Sequence, residues 1–488
     1  MSNDSAMRAV SSEVLARLCR VAETSSFVNP LINSLIDQVI NNRDPDARSG
    51  FALALGCIIS HVGGMAAQSH LKKIVGILHS LAVDPNTVVH TWALHSLWLV
   101  VESAGPMYNQ NVSATLSLIV KLFMAESHEP IMGAFGPGGN ANADVYPAFG
   151  RLLYALVGTL GPELESSPNE RKICFSLFEE LKNDRDPFVV VEAVRCVQHF
   201  ILFAPKQIDI GSLIPFLQQQ LSGNYHSQLE LLRKAAVTCL YQLVQKTPGL
   251  VLAAAVNGEL EEQLFALLDI ETDHDVRSEI KDVLKGLLKF VAPSHPSRWL
   301  ELAKKILSKA SSTAVATADP NALSTPLSPD SITSDSENDD EAIEVEDEQD
   351  SSSATKSKLG GVSSNKAFTP GVITGATGTV VLLPRWRTQV FALLCIQEVM
   401  SVVFSTSNRG HMDLGFAREK KKSGDTSDYL VFKVADLIRM AFSAATANVE
   451  DLRLGGLNVL RDILEVKFYL IFVGDIISLI NGAFFLFL

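Results

Sequence analysis

The sequence predicts an all-α chain, an α-solenoid of helical repeats interrupted by a long disordered acidic insert. Three observations carry this. A short acidic turn followed by an apolar helical pattern recurs along the chain; strand signals are almost absent; and one Ser-, Thr- and acid-rich stretch lacks the apolar content needed to fold. With 488 residues, 47% apolar and 19% charged, the chain is long enough for a large core and more than one unit.

The recurring unit is visible in "NNRDPDARSGFALALGCII", "AVDPNTVVHTWALHSLWLVV", "NDRDPFVVVEAVRCVQHFIL" and "ETDHDVRSEIKDVLKGLLKF". Each opens on an acidic turn, at Asp44, Asp84, Asp186 and Asp273, at intervals of 40, 102 and 87 residues. The last two are close to twice the first. Asp-Pro suits such a start: the carboxylate caps the new helix, and proline occupies a first-turn position whose N–H has no partner anyway. Small residues (Ala52, Ala93, Ala193, Ala236) allow neighbouring helices to approach closely. Leading helices are read at "VNPLINSLIDQVI", "HLKKIVGILHSLA", "ATLSLIVKLFM", "KICFSLFEELK" and "IGSLIPFLQQQL", and further units at Leu229 ("LELLRKAAVTCLYQLVQ") and Asn448 ("NVEDLRLGGLNVLRDILE"). Helix pairs at about 40 residues define a solenoid of the HEAT or armadillo kind. "GTVVLLP" at Gly378 to Pro384 is the one strand candidate and is read as an extended entry into a helix.

The expected organisation is a solenoid over 1–307, a linker over 308–377, continued repeats over 378–466 and an atypical apolar tail over 467–488. The linker is expected to be disordered. It holds 11 acidic and no basic residues between Asp330 and Asp350, so of a net charge of −13 only about −2 belongs to the rest of the chain. Thr325 and Ser328 precede proline, and Ser334 and Ser336 sit among acids, which makes them candidate phosphorylation sites; phosphate there would strengthen docking to an Arg/Lys patch. "GAFGPGGNANADVYP", Gly133 to Pro147, lacks both the preceding strand and the Gly-Lys-Ser/Thr ending of a phosphate loop and is read as a long inter-helix loop. "REKKK", Arg418 to Lys422, is read as part of a polar connection.

No catalytic, cofactor or metal site is read. The spacings among His61, His70, His79, His90 and His95 fit no metal-binding helix, and no nucleophile elbow, kinase loop or dinucleotide fingerprint occurs. His90 and His95, beside Trp92 and Trp98, read as residues of a packed helix. Cys19, Cys57, Cys174, Cys196, Cys239 and Cys395 lie far apart and read as reduced, mostly buried thiols. The absence of a concentrated basic face excludes nucleic acid as a partner.

Four strings carry a resemblance: "VNPLINSLIDQVINNRDPDARSGFALALGCIISHVGG", "HTWALHSLWLVVESAGPMY", "GAFGPGGNANADVYPAFGRLLYALVGTLGPEL" and "LPRWRTQVFALLCI". Over residues 8 to 465 the chain resembles an internal part of the HEAT-repeat-containing protein 5 family. The resemblance implies a very large cytoplasmic scaffold without enzymatic activity, acting in vesicle-mediated transport between the trans-Golgi network and endosomes. Implied partners are the clathrin adaptor complex of the trans-Golgi network, aftiphilin and gamma-synergin, with peripheral placement on clathrin-coated vesicles, endosomes and Golgi membranes. No site residue transfers, because the family has no compact catalytic motif. The alternative is a nuclear transport receptor or phosphatase-type scaffold, which shares the architecture.

The chain is shorter than family members, so a fragment or alternative product is expected. The ends of such an array are expected to expose apolar faces and to self-associate. From Phe468 to Leu488 the only charge is Asp475, and a helix there would reach about 31 Å, enough for a bilayer. Gly474, Asp475, Ser478, Asn481 and Gly482 nonetheless share one helical face. The family pattern stops near Glu465. The expectation is a non-family terminus packing poorly on the last repeat, with a buried helix and a tail anchor as the alternatives.

Overall fold

The computed structural model describes residues 4–125, 145–221, 230–308, 372–375, 378–381, 385–406 and 408–465. In chain order the helices are α1 (Ser5–Val21), α2 (Asn29–Asn41), α3 (Pro45–Val62), α4 (Gln68–Leu81), α5 (Thr87–Ala104), α6 (Asn109–Ala125), α7 (Val145–Leu160), α8 (Glu163–Ser166), α9 (Pro168–Lys182) and α10 (Pro187–Phe203). They continue with α11 (Ile210–Leu221), α12 (Glu230–Lys246), α13 (Pro248–Ala254), α14 (Leu260–Leu268), α15 (His274–Val291), α16 (Pro296–Ser308), α17 (Trp386–Ser405), α18 (Leu414–Lys422), α19 (Val434–Ala445) and α20 (Glu450–Glu465).

Their packing is that of a repeat array. One layer runs α1, α3, α5, α7, α10, α12, α15, α17, α20, each helix packed on the next. The second layer supplies a partner to each pair: α2 with α3, α4 with α5, α6 with α7, α9 with α10, α11 with α12, α14 with α15, α16 with α17 and α19 with α20. Every repeat therefore touches only its neighbours, the quasi-one-dimensional arrangement of a solenoid. One continuous core joins the pairs from Ala16 to Ile463. Ala52, Ala93, Ala193 and Ala236 lie fully buried on the first layer, at the close approaches their size suggested.

Caps start the first-layer helices. Asp44 accepts from Ala47 N–H (3.2 Å), Asp186 from Phe188 N–H (2.9 Å) and Asp273 from Asp275 N–H (2.8 Å). At the second unit Asp84 is not the cap. Asn86 takes that role, accepting from Val88 and Val89 N–H groups (3.0 and 3.3 Å), while Asp84 accepts from Asn86 N–H and is freed for an ion pair described below.

The expected interruption of the array takes a different form. The stretch after Ser308 leaves from the end of α16, and the chain re-enters as α17, which packs on that same α16. Gln389 donates to the Leu307 carbonyl (3.3 Å) across the gap, and Lys289 pairs with Glu398 (3.3 Å). The insertion thus lies inside one helix pair, and the first layer runs past it without a break. Asp428 secures the following turn, accepting from the Ser297 hydroxyl (2.7 Å) and backbone N–H (2.8 Å) at the start of α16.

Two local readings are corrected. "GTVV" does not simply lead into a helix: β2 (Gly378–Val381) pairs antiparallel with β1 (Val372–Gly375), which lies at the end of the stretch expected to be disordered. Its alternation of glycine, threonine and valine favours a hairpin once a partner strand is close in sequence. "REKKK" is not a polar connection but the C-terminal half of α18. Asp413 caps that helix through Phe416 N–H (3.0 Å), and Lys420 and Lys421 lie over the Phe416 and Phe432 rings (5.7 and 5.0 Å). Three lysines in the last turn also suit the negative end of the helix dipole. The loop reading of Gly133 to Pro147 lies outside the described residues except at its end, where Val145, Tyr146 and Pro147 already belong to α7. The tail 467–488 lies outside them entirely. Among the described residues α17 alone is long and apolar enough to cross a membrane, and its packing against α15, α16 and α20 accounts for that composition.

The outer face of α1 carries Met7, Val10, Val14, Leu18 and Val21, all more than half exposed and spaced as a single stripe. Contiguous apolar surface of this kind drives association. Light scattering on the purified chain is expected to show a mass that rises with concentration, and combined serine substitution of Met7, Val10, Val14 and Leu18 should suppress the rise. Equal behaviour of the two proteins would contradict this.

Candidate functional site

The fourth residue of a first-layer helix faces the turn that opens the next one, and arginine recurs there. Arg8 of α1 pairs with Asp46 (3.1 Å), Arg48 of α3 with Asp84 (2.8 Å) and Arg233 of α12 with Glu271 (3.2 Å). In α5 the slot holds His90, whose Nδ1–H donates to the Ala82 carbonyl. The three arginine pairs form a ladder of charge-assisted contacts between successive repeats, whereas the His90 bond stays within its own helix pair, at the turn between α4 and α5. Further contacts between successive first-layer helices are Glu13 with His61 (2.9 Å), Arg151 with Glu192 (3.1 Å), which Arg195 of the same helix also meets (3.1 Å), and Lys234 with Asp273 (3.2 Å).

α7 and α10 hold Ala148 and Val190 in this slot, while α15 has an arginine there without the carboxylate. Its fourth residue is Arg277, and the next first-layer helix is α17. Where α3 offers Asp46 as its second residue, α17 offers Arg387; where Asp84 and Glu271 stand two residues before their caps, the sequence has Leu383. A cation thus replaces the carboxylate, and a cleft of about 360 Å³ opens between the helices, lined by His274, Arg277, Ser278, Lys281, Trp386, Arg387 and Val390.

No ion pair is formed by Arg277, Lys281 or Arg387 among the described residues, and the Arg277 Nε–H is buried without a partner. The Lys281 ammonium lies over the Phe391 ring (5.7 Å) and the Arg387 guanidinium over Trp386 (5.5 Å), so aromatic faces, and no carboxylate among the described residues, accompany these two charges at the cleft. Burial, followed by repulsion from Arg387, lowers the pKa of Arg277; burial, then Arg277, Lys285 and Arg387, lowers that of Lys281. Of the nearby carboxylates, Glu271 is engaged by Arg233 and Asp282 by Lys285 (3.8 Å), while Asp275 lies at the exposed start of α15. Two guanidinium groups and an ammonium lining one cleft, without an ion-pair partner among the described residues, suit the binding of an anion.

The other singled-out residues lie elsewhere. Thr325, Ser328, Ser334 and Ser336 fall outside the described residues. His95 sits edge-on between Trp92 (5.8 Å) and Trp98 (5.1 Å), and burial, aided by Arg151, holds its pKa down at about 4, as befits a neutral core residue. All six cysteines are buried free thiols. Burial raises Cys57 to about 11 and Cys174 and Cys395 to about 12, the opposite of a reactive thiolate. Among the described residues no cluster of His, Cys, Asp or Glu has metal-binding geometry. The arginine ladder and its broken rung were missed in the sequence, although "DPDAR" and "DHDVR" carry the signal: arginine four residues after the capping aspartate.

The paired layers, ladder contacts and long continuous core define the chain as a HEAT-type helical-repeat solenoid. Residues 429–468, which take in α19 and α20, match the Laa1/Sip1/HEATR5 HEAT repeat region, in line with the family resemblance carried by the sequence strings. The protein SWEETIE of Arabidopsis thaliana is 29% identical over 470 residues, covering 95% of this chain and 19% of that protein; the chain thus spans about a fifth of that relative. Among solved structures, the designed armadillo repeat protein YIII(Dq)4CqI covers 52% of this chain and 99% of its own at 15% identity and a TM-score of 0.39. The Kap95:Nup1 complex covers 95% of this chain and 46% of its own at 8% identity and a TM-score of 0.46. At these scores the solenoid assignment rests on the helix pairing itself.

Proposed function

We propose that the chain is a segment of a non-enzymatic scaffold for clathrin-adaptor-dependent traffic between the trans-Golgi network and endosomes. On this reading it is cytoplasmic, sits peripherally on coated vesicles, endosomes and Golgi membranes through its partners, and binds proteins along the solenoid. The match of residues 429–468 to the Laa1/Sip1/HEATR5 repeat region is the observation that supports it. The architecture agrees with a binding role: a long repeat array offers extended surface and distributes it over many small, independently variable patches. The partners proposed are the adaptor complex of the trans-Golgi network, aftiphilin and gamma-synergin.

The test is affinity capture from cytosol with the full 488-residue chain and identification of what co-purifies. Adaptor subunits, aftiphilin or gamma-synergin should be enriched over an unrelated solenoid of similar length. Their absence, or recovery of Ran or a phosphatase catalytic subunit instead, would overturn the proposal in favour of a transport receptor or phosphatase scaffold.

A further inference from the structure

We propose that the basic cleft between α15 and α17 is a binding site for clustered carboxylates, and that its occupant is the chain's own acidic segment, residues 330–350. The inference is separate from the trafficking role and stands or falls without it.

The cleft makes the first half of the case. Arg277, Lys281 and Arg387 line one space of about 360 Å³, at a position where the adjoining rung, Arg233 with Glu271, and two others further along the array each hold an arginine with a carboxylate. Like charges at one site destabilise the fold that assembles them unless an anion joins them. The buried, unpartnered Arg277 Nε–H requires an acceptor, since a polar group removed from water without one costs about 1–3 kcal/mol. Arg387 is exposed while Arg277 is half-buried, so the charges are stepped from rim to floor and an extended acidic side chain can reach both.

The second half is proximity and charge. Residues 330–350 carry 11 acids and no base, the one strong concentration of charge in the sequence. The segment belongs to the insertion that re-enters the fold at Arg385, on the edge of the cleft itself. Residues 351–384 connect the two; β1 and β2 fold part of that span back on itself, and residues 351–371 alone, at up to roughly 3.3–3.6 Å per residue, are ample to bring an acid back to Arg277. Tethering of this kind sets a local concentration of the order of millimolar, so that even weak carboxylate–guanidinium contacts keep the site filled. Ser334 and Ser336 lie within the same segment, and a phosphate on either would add acceptor oxygens suited to the two guanidinium groups.

The experiment uses the full chain in two forms: the natural one, and one whose acids in 330–350 are replaced by Asn and Gln. A fluorescent peptide of residues 330–350 is titrated against each by anisotropy at low salt. It is expected to bind the neutralised chain roughly tenfold or more tightly than the natural chain, where the tethered copy competes. Binding should weaken steeply with added salt. Lys281→Glu and Arg387→Glu, both at solvent-accessible positions, should each remove binding to the neutralised chain while leaving the helical melting curve in place. Equal affinity for the natural and neutralised chains would overturn the tethered occupant; absence of binding to the neutralised chain, or binding indifferent to the two charge reversals, would overturn the site.

Discussion

Glu271→Ala is expected to destabilise the array by about 3–5 kcal/mol, the largest loss anticipated from any single ion-pair change in the structure. Glu271 is almost fully buried and serves two ends. One oxygen accepts from Arg233 Nε (3.2 Å), and the other accepts from the Thr272 and Asp273 N–H groups (2.9 and 3.1 Å) that shape the turn into α15. Removing it strands the Arg233 charge, whose Nη1 already has no partner among the described residues, and leaves two backbone donors unpaired. The effect should be local. In a solenoid the interface between α12 and α15 opens without the rest, so hydrogen exchange of these two helices should quicken by roughly two to four powers of ten. Glu271→Gln combined with Arg233→Met keeps the turn's acceptor and removes both charges, and it should recover a large part of the loss. If Glu271→Ala leaves exchange in α12 and α15 unchanged, the ladder contributes far less than its burial implies.

The repeat, its period and its small-residue stripe were legible because they rest on local chemistry: an aspartate before proline, a 3.6-residue apolar period, alanines where helices touch. What was not legible was relational. That Asn86 and not Asp84 caps α5 depends on which of two competing side chains reaches Val88 and Val89, and sequence spacing leaves both possible. That α16 and α17 are partners could not be read through the insertion separating them, so the insertion looked like a boundary of the array although the helices on either side of it form one pair. "REKKK" looked like a solvated connection because its composition is polar; the Asp413 cap and two phenylalanine rings beneath the lysine ammonium groups make it a helix end. The basic cleft is the clearest case. Each of Arg277, Lys281 and Arg387 is ordinary alone, and only the register of α17 against α15 turns "RWR" from a helix start into a missing counter-charge.

Gly56→Val is the second large effect, expected to cost about 3 kcal/mol by forcing α3 and α5 apart. A Cβ at Gly56 would stand 2.8 Å from Ser96 Cα and 2.9 Å from Ser96 Cβ, and the obstacle includes backbone, which no rotamer change removes. Ser96 is fully buried and turned to its own helix, its hydroxyl donating to the Trp92 carbonyl (2.7 Å), so the contact is glycine against the smallest surface α5 can present. Helix propensity alone predicts the reverse, because valine is a slightly better helix former than glycine. The sign of the change therefore separates packing from propensity. Gly76 supplies the control: it lies in the interior of α4, exposed, with nothing within 4 Å of a built Cβ. Gly76→Ala should stabilise by about 0.5–1 kcal/mol. Urea denaturation of the two variants should move the early part of the transition in opposite directions. Were both to stabilise the chain, the close approach of α3 and α5 would not be a constraint on the repeat, and the small residues along the first layer would need another reason.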